Sequence, residues 1–173
     1  ESATFSGTCK TTIEVLEATD TITVNAAELE IAEVTVEAGA SSHSATVDYD
    51  EEHERAHLHF GTTIEAGKWE LLTTFHGYLN DKLRGFYRST YVGTDGEEVL
   101  LATTQFESTN ARRAFPCWDE PDLKAVFEVT MVVPEDLMAV TCTSEVSETA
   151  VGDGRRRLSF APTPIMSTYL LAF

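Results

Sequence analysis

Apolar and polar residues alternate with a period of two along most of this chain, which is the pattern of strands with one buried face. The clearest run covers residues 29–36 and ends at a turn formed by Glu37, Ala38 and Gly39. Similar runs cover residues 11–16, 21–25, 45–49, 56–60, 69–75, 86–92 and 99–104. Turn-forming residues separate the runs, and no stretch of a dozen residues carries a helical apolar stripe. The pattern therefore predicts an all-β fold of short antiparallel strands.

The second half of the chain continues this pattern. Residues 76–85 are predicted as a long loop, and Asp95-Gly96 predicts a tight hairpin because this pair supplies the positive φ angles that such turns need. Later strands are predicted at residues 126–133, 138–142 and 156–160, and residues 168–173 are predicted to be buried on both faces. Since no repeat, linker or low-complexity segment interrupts the chain, residues 1–173 are predicted to form a single β domain.

The charge balance narrows the choice of partners. The 173 residues include 29 acidic and 12 basic side chains, which gives a formal net charge of −17. A nucleic-acid backbone or an anionic membrane would be repelled by such a surface, so neither is predicted as a partner. Solubility alone accounts for an acidic surface, and a carboxylate-lined site for cationic substrates is the alternative.

The cysteines and the chain ends bear on location and completeness. Cys9, Cys117 and Cys142 are widely spaced, odd in number and contain no C-x-x-C pair, which favours a reducing compartment and a cytoplasmic location. The sequence has neither a signal-peptide pattern nor an apolar run of membrane-spanning length. Because Glu1 is not a natural start and Phe173 ends inside an apolar run, we expect the chain to be a piece of a larger protein.

Residues 53–57 match the zinc-peptidase pattern H-E-x-x-H letter for letter. On a helix, His53 and His57 would share a face and could reach one ion. Residues 56–60 alternate as in a strand, however, and on a strand two histidines four apart lie about 13 Å from each other. The third ligand that zinc peptidases supply downstream is missing as well. We therefore predict no metal site here, and a metalloprotease site that includes Glu54 is kept as the alternative.

The densest group of chemically active side chains lies in residues 104–121, between two apolar runs. It includes two adjacent arginines, a tryptophan, a cysteine, two carboxylates beside a proline and a Gln-x-Glu pair. Loops held between rigid strands commonly carry function. On an extended chain Gln105 and Glu107 point to one side, while Phe106 points into the core.

Two interpretations of Glu107 follow from this spacing. A carboxylate and a carboxamide on one face can hold a protonated amine through charge-assisted hydrogen bonds. Alternatively, Glu107 pairs with Arg112 or Arg113 and simply closes the loop. The spacing alone favours neither interpretation.

Several longer blocks carry family-specific sequence: LNDKLRGFYRS at residues 79–89, TQFE at 104–107, ARRAFPCWDEP at 111–121 and STYLLAF at 167–173. Together they resemble the N-terminal domain of the M1 family of zinc aminopeptidases. The resemblance is weak before Asp50 and strong after Tyr78. It implies a saddle-shaped, mostly antiparallel, multi-sheet β domain that packs against a separate catalytic domain.

The resemblance also implies roles for individual residues. The glutamate of the family's T-Q-F-E motif binds the free α-amine of the peptide substrate, and its glutamine lines the pocket for the first side chain, so Glu107 is expected to anchor the amine and Gln105 to form a pocket wall. The family's leukotriene hydrolase branch has Gln at the anchor position, so Glu107 favours plain aminopeptidase activity. Asp119, Glu120 and Pro121 are expected to shape the loop rather than to act on substrate.

The family's catalytic motifs, G-A-M-E-N and an H-E-x-x-H with a distant glutamate, are absent from the 173 residues. We therefore expect a zinc metallo-aminopeptidase as the full-length parent, with its zinc held by a catalytic domain that follows Phe173, and an inactive fragment here with no catalytic or metal-binding residue of its own. The rival hypothesis is a non-catalytic β-sandwich interaction module or a degenerate paralogue. The sequence that follows Phe173 would separate the two.

Overall fold

Thirteen β-strands and two 3₁₀-helices make up the part of the chain that the computed structural model describes, residues 3–173. This part contains no α-helix, and every pair of neighbouring strands is antiparallel. Four sheets are formed, and the largest is curled. The predicted all-β, mostly antiparallel, multi-sheet class with a saddle shape is confirmed. No helix of residues 3–173 is long and apolar enough to cross a membrane.

The largest sheet has six strands in the order β1-β6-β3-β4-β5-β2. The strands are β1 Thr4–Val15, β2 Thr19–Asn25, β3 Leu29–Ala38, β4 Ser41–Asp50, β5 Arg55–Ile64 and β6 Gly67–Tyr78. Strands β2 to β6 each contain one of the runs predicted from alternation, and β1 contains all of the run 11–16 except Leu16. Strand β1 starts well before the predicted run. Its first half also alternates between exposed and half-buried positions, but small residues such as Gly7 and Cys9 occupy half-buried positions, so the apolar pattern is weak there.

The buried face of this sheet holds the main core. Val36, Leu58 and Ile64 are fully buried there, and each such side chain contributes about 1.5–3 kcal/mol relative to an exposed one. Phe115 and Trp118, which belong to the central loop, pack against the same core. The loop that carries the candidate site is therefore attached to the six-stranded sheet by apolar contacts.

The remaining strands form smaller sheets around that loop. They are β7 Gly85–Val92 with β8 Glu98–Gln105, β9 Lys124–Ala125 with β13 Met166–Ser167, and β10 Thr130–Pro134 with β12 Arg155–Phe160 and β11 Glu145–Gly152. The 3₁₀-helices are Ala111–Arg113 and Thr168–Leu170. The predicted hairpin is confirmed, since Gly96 has a φ of +85° in the turn that joins β7 to β8.

The loop predicted at residues 76–85 is shorter than expected, since residues 76–78 belong to β6 and Gly85 begins β7. The other errors lie after residue 125, where strand β11 was not predicted. Residues 138–142 form no strand, and Met138 is 86% exposed. The strand predicted from residue 126 begins only at Thr130. The run predicted to be buried on both faces contains a 3₁₀-helix with one side in solvent, because Leu170 is 52% exposed and Leu171 is 4% exposed.

Candidate functional site

The candidate site begins where strand β8 ends. Phe106 is 1% exposed, and its ring makes edge contacts with Phe115 and Phe173 at centroid distances of 5.9 and 5.8 Å. Its neighbours Gln105 and Glu107 are both exposed. The predicted alternation is therefore confirmed: the backbone turns both polar side chains outward because the aromatic ring between them is fixed in the core.

Glu107 has no ionic partner in the described part of the chain. Among residues 3–173 its carboxylate makes no hydrogen bond and no ion pair, and only its backbone carbonyl accepts a bond, from Asn110 Nδ2 at 3.0 Å. The interpretation that Glu107 closes the loop by pairing with Arg112 or Arg113 is therefore wrong. Both arginines have other partners.

Arg112 is paired with the fully buried Asp119. Its Nη2 donates to Asp119 Oδ1 at 2.7 Å, its Nε donates to the same carboxylate at 3.1 Å, and its backbone N–H donates to Asp119 Oδ2 at 3.2 Å. The hydrogen bond to Asp119 raises the pKa of Arg112 above its ordinary value. A buried carboxylate is stable only when it is paired and hydrogen-bonded in this way.

Arg113 is buried and reaches two carboxylates of the six-stranded sheet region. Its Nη1 donates to Glu28 Oε1 at 2.9 Å, and its Nη2 donates to Glu54 Oε1. The second oxygen of Glu54 accepts a bond from Arg112 Nη1 at 3.4 Å, so that one carboxylate joins both arginines. We call Arg112, Arg113, Glu28, Glu54 and Asp119 the clasp.

Hydrogen bonds from strand β2 complete the attachment of the loop. Asn25 exchanges backbone bonds with Cys117 at 2.8 and 3.1 Å, and its side-chain amide donates to Asp119 at 3.1 Å and to Glu120 at 3.1 Å. The indole N–H of Trp118 donates to the carbonyl of Thr23 at 2.8 Å. Residues 117–120 are therefore built into the edge of the sheet, in agreement with the shaping role expected for Asp119 and Glu120.

An open cleft of about 1140 Å³ borders the clasp. Glu28, Glu54 and Arg113 line it, and neither Gln105 nor Glu107 does. The polar face formed by residues 105–107 is thus separate from this cleft.

The H-E-x-x-H match lies on a turn and a strand. Residues 51–54 form the turn between β4 and β5, and His57 lies within β5, as the alternation predicted. The ring of His53 contacts Asp50 at 2.7 Å, and the backbone N–H of His53 lowers the pKa of that carboxyl. Glu54 belongs to the clasp instead of facing the histidines. Within residues 3–173 no group of three or more His, Cys, Asp or Glu side chains could hold a metal ion.

The family follows from the sequence as a whole. A model of the peptidase M1 N-terminal domain matches residues 1–170. The chain belongs to this family. The resemblance inferred from the TQFE and ARRAFPCWDEP blocks is confirmed. In this M1 N-terminal domain the first block covers the end of β8 and the start of the loop, and the second block forms the clasped remainder of that loop.

Individual relatives agree with the family model. The puromycin-sensitive aminopeptidase of Caenorhabditis elegans is 44% identical over 172 residues, which cover 98% of this chain and 18% of the relative. Aminopeptidase M1 of Arabidopsis thaliana is 41% identical over 176 residues, covering 99% of this chain and 20% of the relative. Aminopeptidase N of Bos taurus is 47% identical over 120 residues, which cover 67% of this chain and 12% of the relative. This M1 domain thus spans about a fifth of the length of the first two relatives.

Sequence analysis missed the residues that hold the loop in place. All three of Asn25, Glu28 and Glu54 are distant from the loop in sequence. Asn25 and Glu28 stand in stretches with no motif of their own, and Glu54 was noted only as part of the H-E-x-x-H match. The one available signal was that two adjacent arginines on a short helical turn need buried or half-buried acceptors. That signal predicts acceptors without saying which of the 29 acidic residues supply them.

Proposed function

We propose that this chain is the substrate-anchoring β domain of a zinc aminopeptidase that removes N-terminal residues from peptides. In this role Glu107 binds the free α-amine of the substrate, and Gln105 forms part of the wall around its first side chain. The catalytic domain is a separate unit that follows this one, and the parent enzyme acts on peptides with a free N-terminal amine. Membership of the M1 family and the aminopeptidase names of its relatives support this proposal.

The observation that carries the amine-binding role is the free carboxylate of Glu107. A carboxylate already paired with an arginine would have to break that pair before it could accept hydrogen bonds from an ammonium group. Glu107 is exposed and unpaired among residues 3–173, while the carboxylates of the neighbouring clasp are engaged by arginines. A carboxylate in that state offers two oxygens to a protonated amine.

The contribution of Glu107 to the reaction is one of position. An anchored amine fixes how far the substrate extends into the enzyme, so that only the first peptide bond reaches the reacting groups. Positioning of this kind lowers the entropic part of the barrier. No group of side chains among residues 3–173 fits a zinc site, and the zinc that the family resemblance implies is proposed to be held outside these residues.

The test is Glu107→Ala in the full-length enzyme. Truncating one partner of a desolvated charge pair costs about 2–5 kcal/mol, so kcat/KM for aminoacyl substrates should fall roughly 30- to 3000-fold. Zinc content should be unchanged. Glu98→Ala is the matched control, because Glu98 is an exposed glutamate at the start of β8, the strand that leads to Glu107.

Two results would overturn the proposal. One is a Glu107→Ala enzyme that retains normal kcat/KM. The other is a loss of the same size in Glu98→Ala, because a general change of surface charge would then explain the effect. The cytoplasmic location expected from the free cysteines remains a prediction, which fractionation of cells that express the parent protein would check.

A further inference from the structure

The backbone is unfavourable at the two glutamates that hold Arg113. Glu28 has a φ of +57° and Glu54 a φ of +55°. Side chains with a Cβ atom are disfavoured in this region, and glycine or asparagine is the usual choice. At both positions the chain instead has a carboxylate that contacts the Arg113 guanidinium. Two residues in disfavoured backbone conformations therefore bind the same guanidinium group.

A series of hydrogen bonds leads from that guanidinium to the proposed amine anchor. Arg113 Nε donates to Asn110 Oδ1 at 3.4 Å, and Asn110 Nδ2 donates to the backbone carbonyl of Glu107 at 3.0 Å. The bond from Arg113 orients the Asn110 amide, because it occupies the acceptor oxygen and leaves the NH₂ group facing Glu107. The backbone N–H groups of Arg113 and Asn110 donate to the carbonyls of Asn110 and Phe106, which closes the turn.

Arg113 is itself fixed by packing. A Cβ atom at Gly85 would lie 2.6 Å from Arg113 Cβ, so the first residue of strand β7 fits against the arginine stem only as glycine. Gly85 also pairs with Gln105 across the β7–β8 hairpin. Arg113 is therefore linked to residues 105–107 at two points: to Gln105 through Gly85, and to Glu107 through Asn110.

We propose that Arg113 is a positioning residue for the amine-binding face, held by Glu28 and Glu54 and acting on Glu107 through Asn110. This inference rests on the proposed function of Glu107. The arginine does not touch the substrate. It fixes the direction in which the Glu107 carboxylate leaves the loop, and so the place at which an ammonium group is bound.

The experiment compares two competitive inhibitors of the full-length enzyme: one with a free α-amine and its analogue with hydrogen in place of the amine. The ratio of their inhibition constants measures amine recognition alone. A variant that merely folds less well has less active enzyme but an unchanged ratio. Glu107→Ala defines the ratio when the anchor is absent.

Arg113→Lys keeps the charge and removes the forked contacts and the Nε–H bond to Asn110. We expect the ratio to move toward the Glu107→Ala value by about tenfold, because small misplacements of a binding group have effects of this size. Asn110→Ala, which leaves Arg113 and its carboxylates intact, should shift the ratio in the same direction. Arg156→Lys is the control, since Arg156 forms an ion pair with Glu148 in the distant β11–β12 hairpin.

The outcomes separate the two proposals. If Glu107→Ala leaves the ratio unchanged, the amine-anchor function is wrong, and the positioning role falls with it. If Glu107→Ala abolishes the preference but Arg113→Lys and Asn110→Ala both keep the wild-type ratio, only the positioning role is overturned. If Arg113→Lys does not fold, the Asn110→Ala ratio decides alone.

Discussion

The two parts of the central loop differ in whether their charged side chains are buried and paired. In residues 105–107 the only charged side chain, Glu107, is exposed and has no partner among residues 3–173. In residues 112–120 Asp119 is fully buried and receives bonds from Arg112 and Asn25. The second part can hold a fixed shape because its polar groups are satisfied internally. In the first part the Glu107 carboxylate has no partner among residues 3–173, which is the state that the proposed amine-binding role requires.

The comparison shows where the rigidity of the proposed site comes from. A ligand-binding carboxylate has to stay unpaired, so it cannot fix its own position by ionic contacts. In the positioning role proposed for Arg113, the clasp supplies that fixation from neighbouring residues. Loss of the clasp should therefore reduce stability strongly, whereas loss of Glu107 should reduce binding and leave stability almost unchanged.

The largest stability effect is expected for Asp119→Ala. This change leaves the Arg112 guanidinium, 13% exposed, without its main acceptor. Breaking a buried pair by removing one partner costs about 3–5 kcal/mol. Urea unfolding followed by tryptophan fluorescence should show a loss of this size, while Glu107→Ala should stay within about 0.5 kcal/mol of wild type. Equal losses in the two variants would remove the distinction between the two parts of the loop.

A smaller effect is expected where the clasp meets strand β7. Gly85→Ala introduces a Cβ at a φ of +69° and only 2.6 Å from Arg113 Cβ. Gly96→Ala, in the same hairpin, has a φ of +85° and open space around the added atom. The positive φ costs about 1–2 kcal/mol in both, and the clash adds about 1–3 kcal/mol at Gly85 alone. Urea unfolding of both variants measures the difference between their losses of stability. Equal losses would show that the Arg113 side chain moves away from the added methyl group at little cost.

Much of the fold could be predicted from the sequence, because strands with one buried face alternate visibly. Residues 29–36 and 56–60 are examples, and both lie in the six-stranded sheet. Strand β11 escaped prediction since all of its residues are exposed and no face is buried to set a period. Residues 138–142 gave the opposite error. Their apolar side chains imitate a strand, yet Met138 and Val140 are largely exposed.

Only part of the site could be predicted, because some of its interacting residues are far apart along the chain. The outward direction of Gln105 and Glu107 follows from their spacing around Phe106, which is local information. Whether Glu107 is paired depends on which carboxylates Arg113 binds. These are Glu28 and Glu54, which lie 85 and 59 residues away along the chain. Local sequence cannot rank such distant partners, so loop closure by Glu107 could be excluded only with the structure, and amine binding remains a proposal.

The comparison of buried and exposed groups also applies to the protonation of the cysteine thiols. Burial, with a further contribution from Asp119, raises the pKa of the Cys117 thiol well above 9.0, and burial also raises that of Cys9. A raised folded-state pKa means that the contribution of Cys117 to stability is fully present below the unfolded-state pKa and is lost as the pH rises above it. We therefore expect stability to decline above a pH of about 9, by up to about 1.4 kcal/mol per pH unit and thiol.

Thiol labelling checks the same difference directly. Cys142 is exposed, Cys9 is half-buried and Cys117 is buried, so an alkylating reagent at pH 8 should modify Cys142 fastest, Cys9 more slowly and Cys117 only in denaturant. Cys117→Ser should also flatten the decline in stability above pH 9. Rapid native labelling of Cys117 would contradict the buried character of residues 112–120.

The smallest effect is expected for Glu148→Gln, which tests whether burial or contact distance makes the clasp strong. The Arg156–Glu148 contact is 3.1 Å long, close to the 2.7 Å contact of Arg112 with Asp119. The two acceptors differ in exposure, however: the Glu148 side chain is 48% exposed, whereas that of Asp119 is 0% exposed. Water can replace Glu148, and Arg156 keeps a bond of 2.8 Å to the carbonyl of Leu137. Exposed pairs contribute at most about 1 kcal/mol, so urea unfolding should shift by less than that. A loss comparable to that of Asp119→Ala would mean that contact distance, and not burial, sets the strength of these ion pairs.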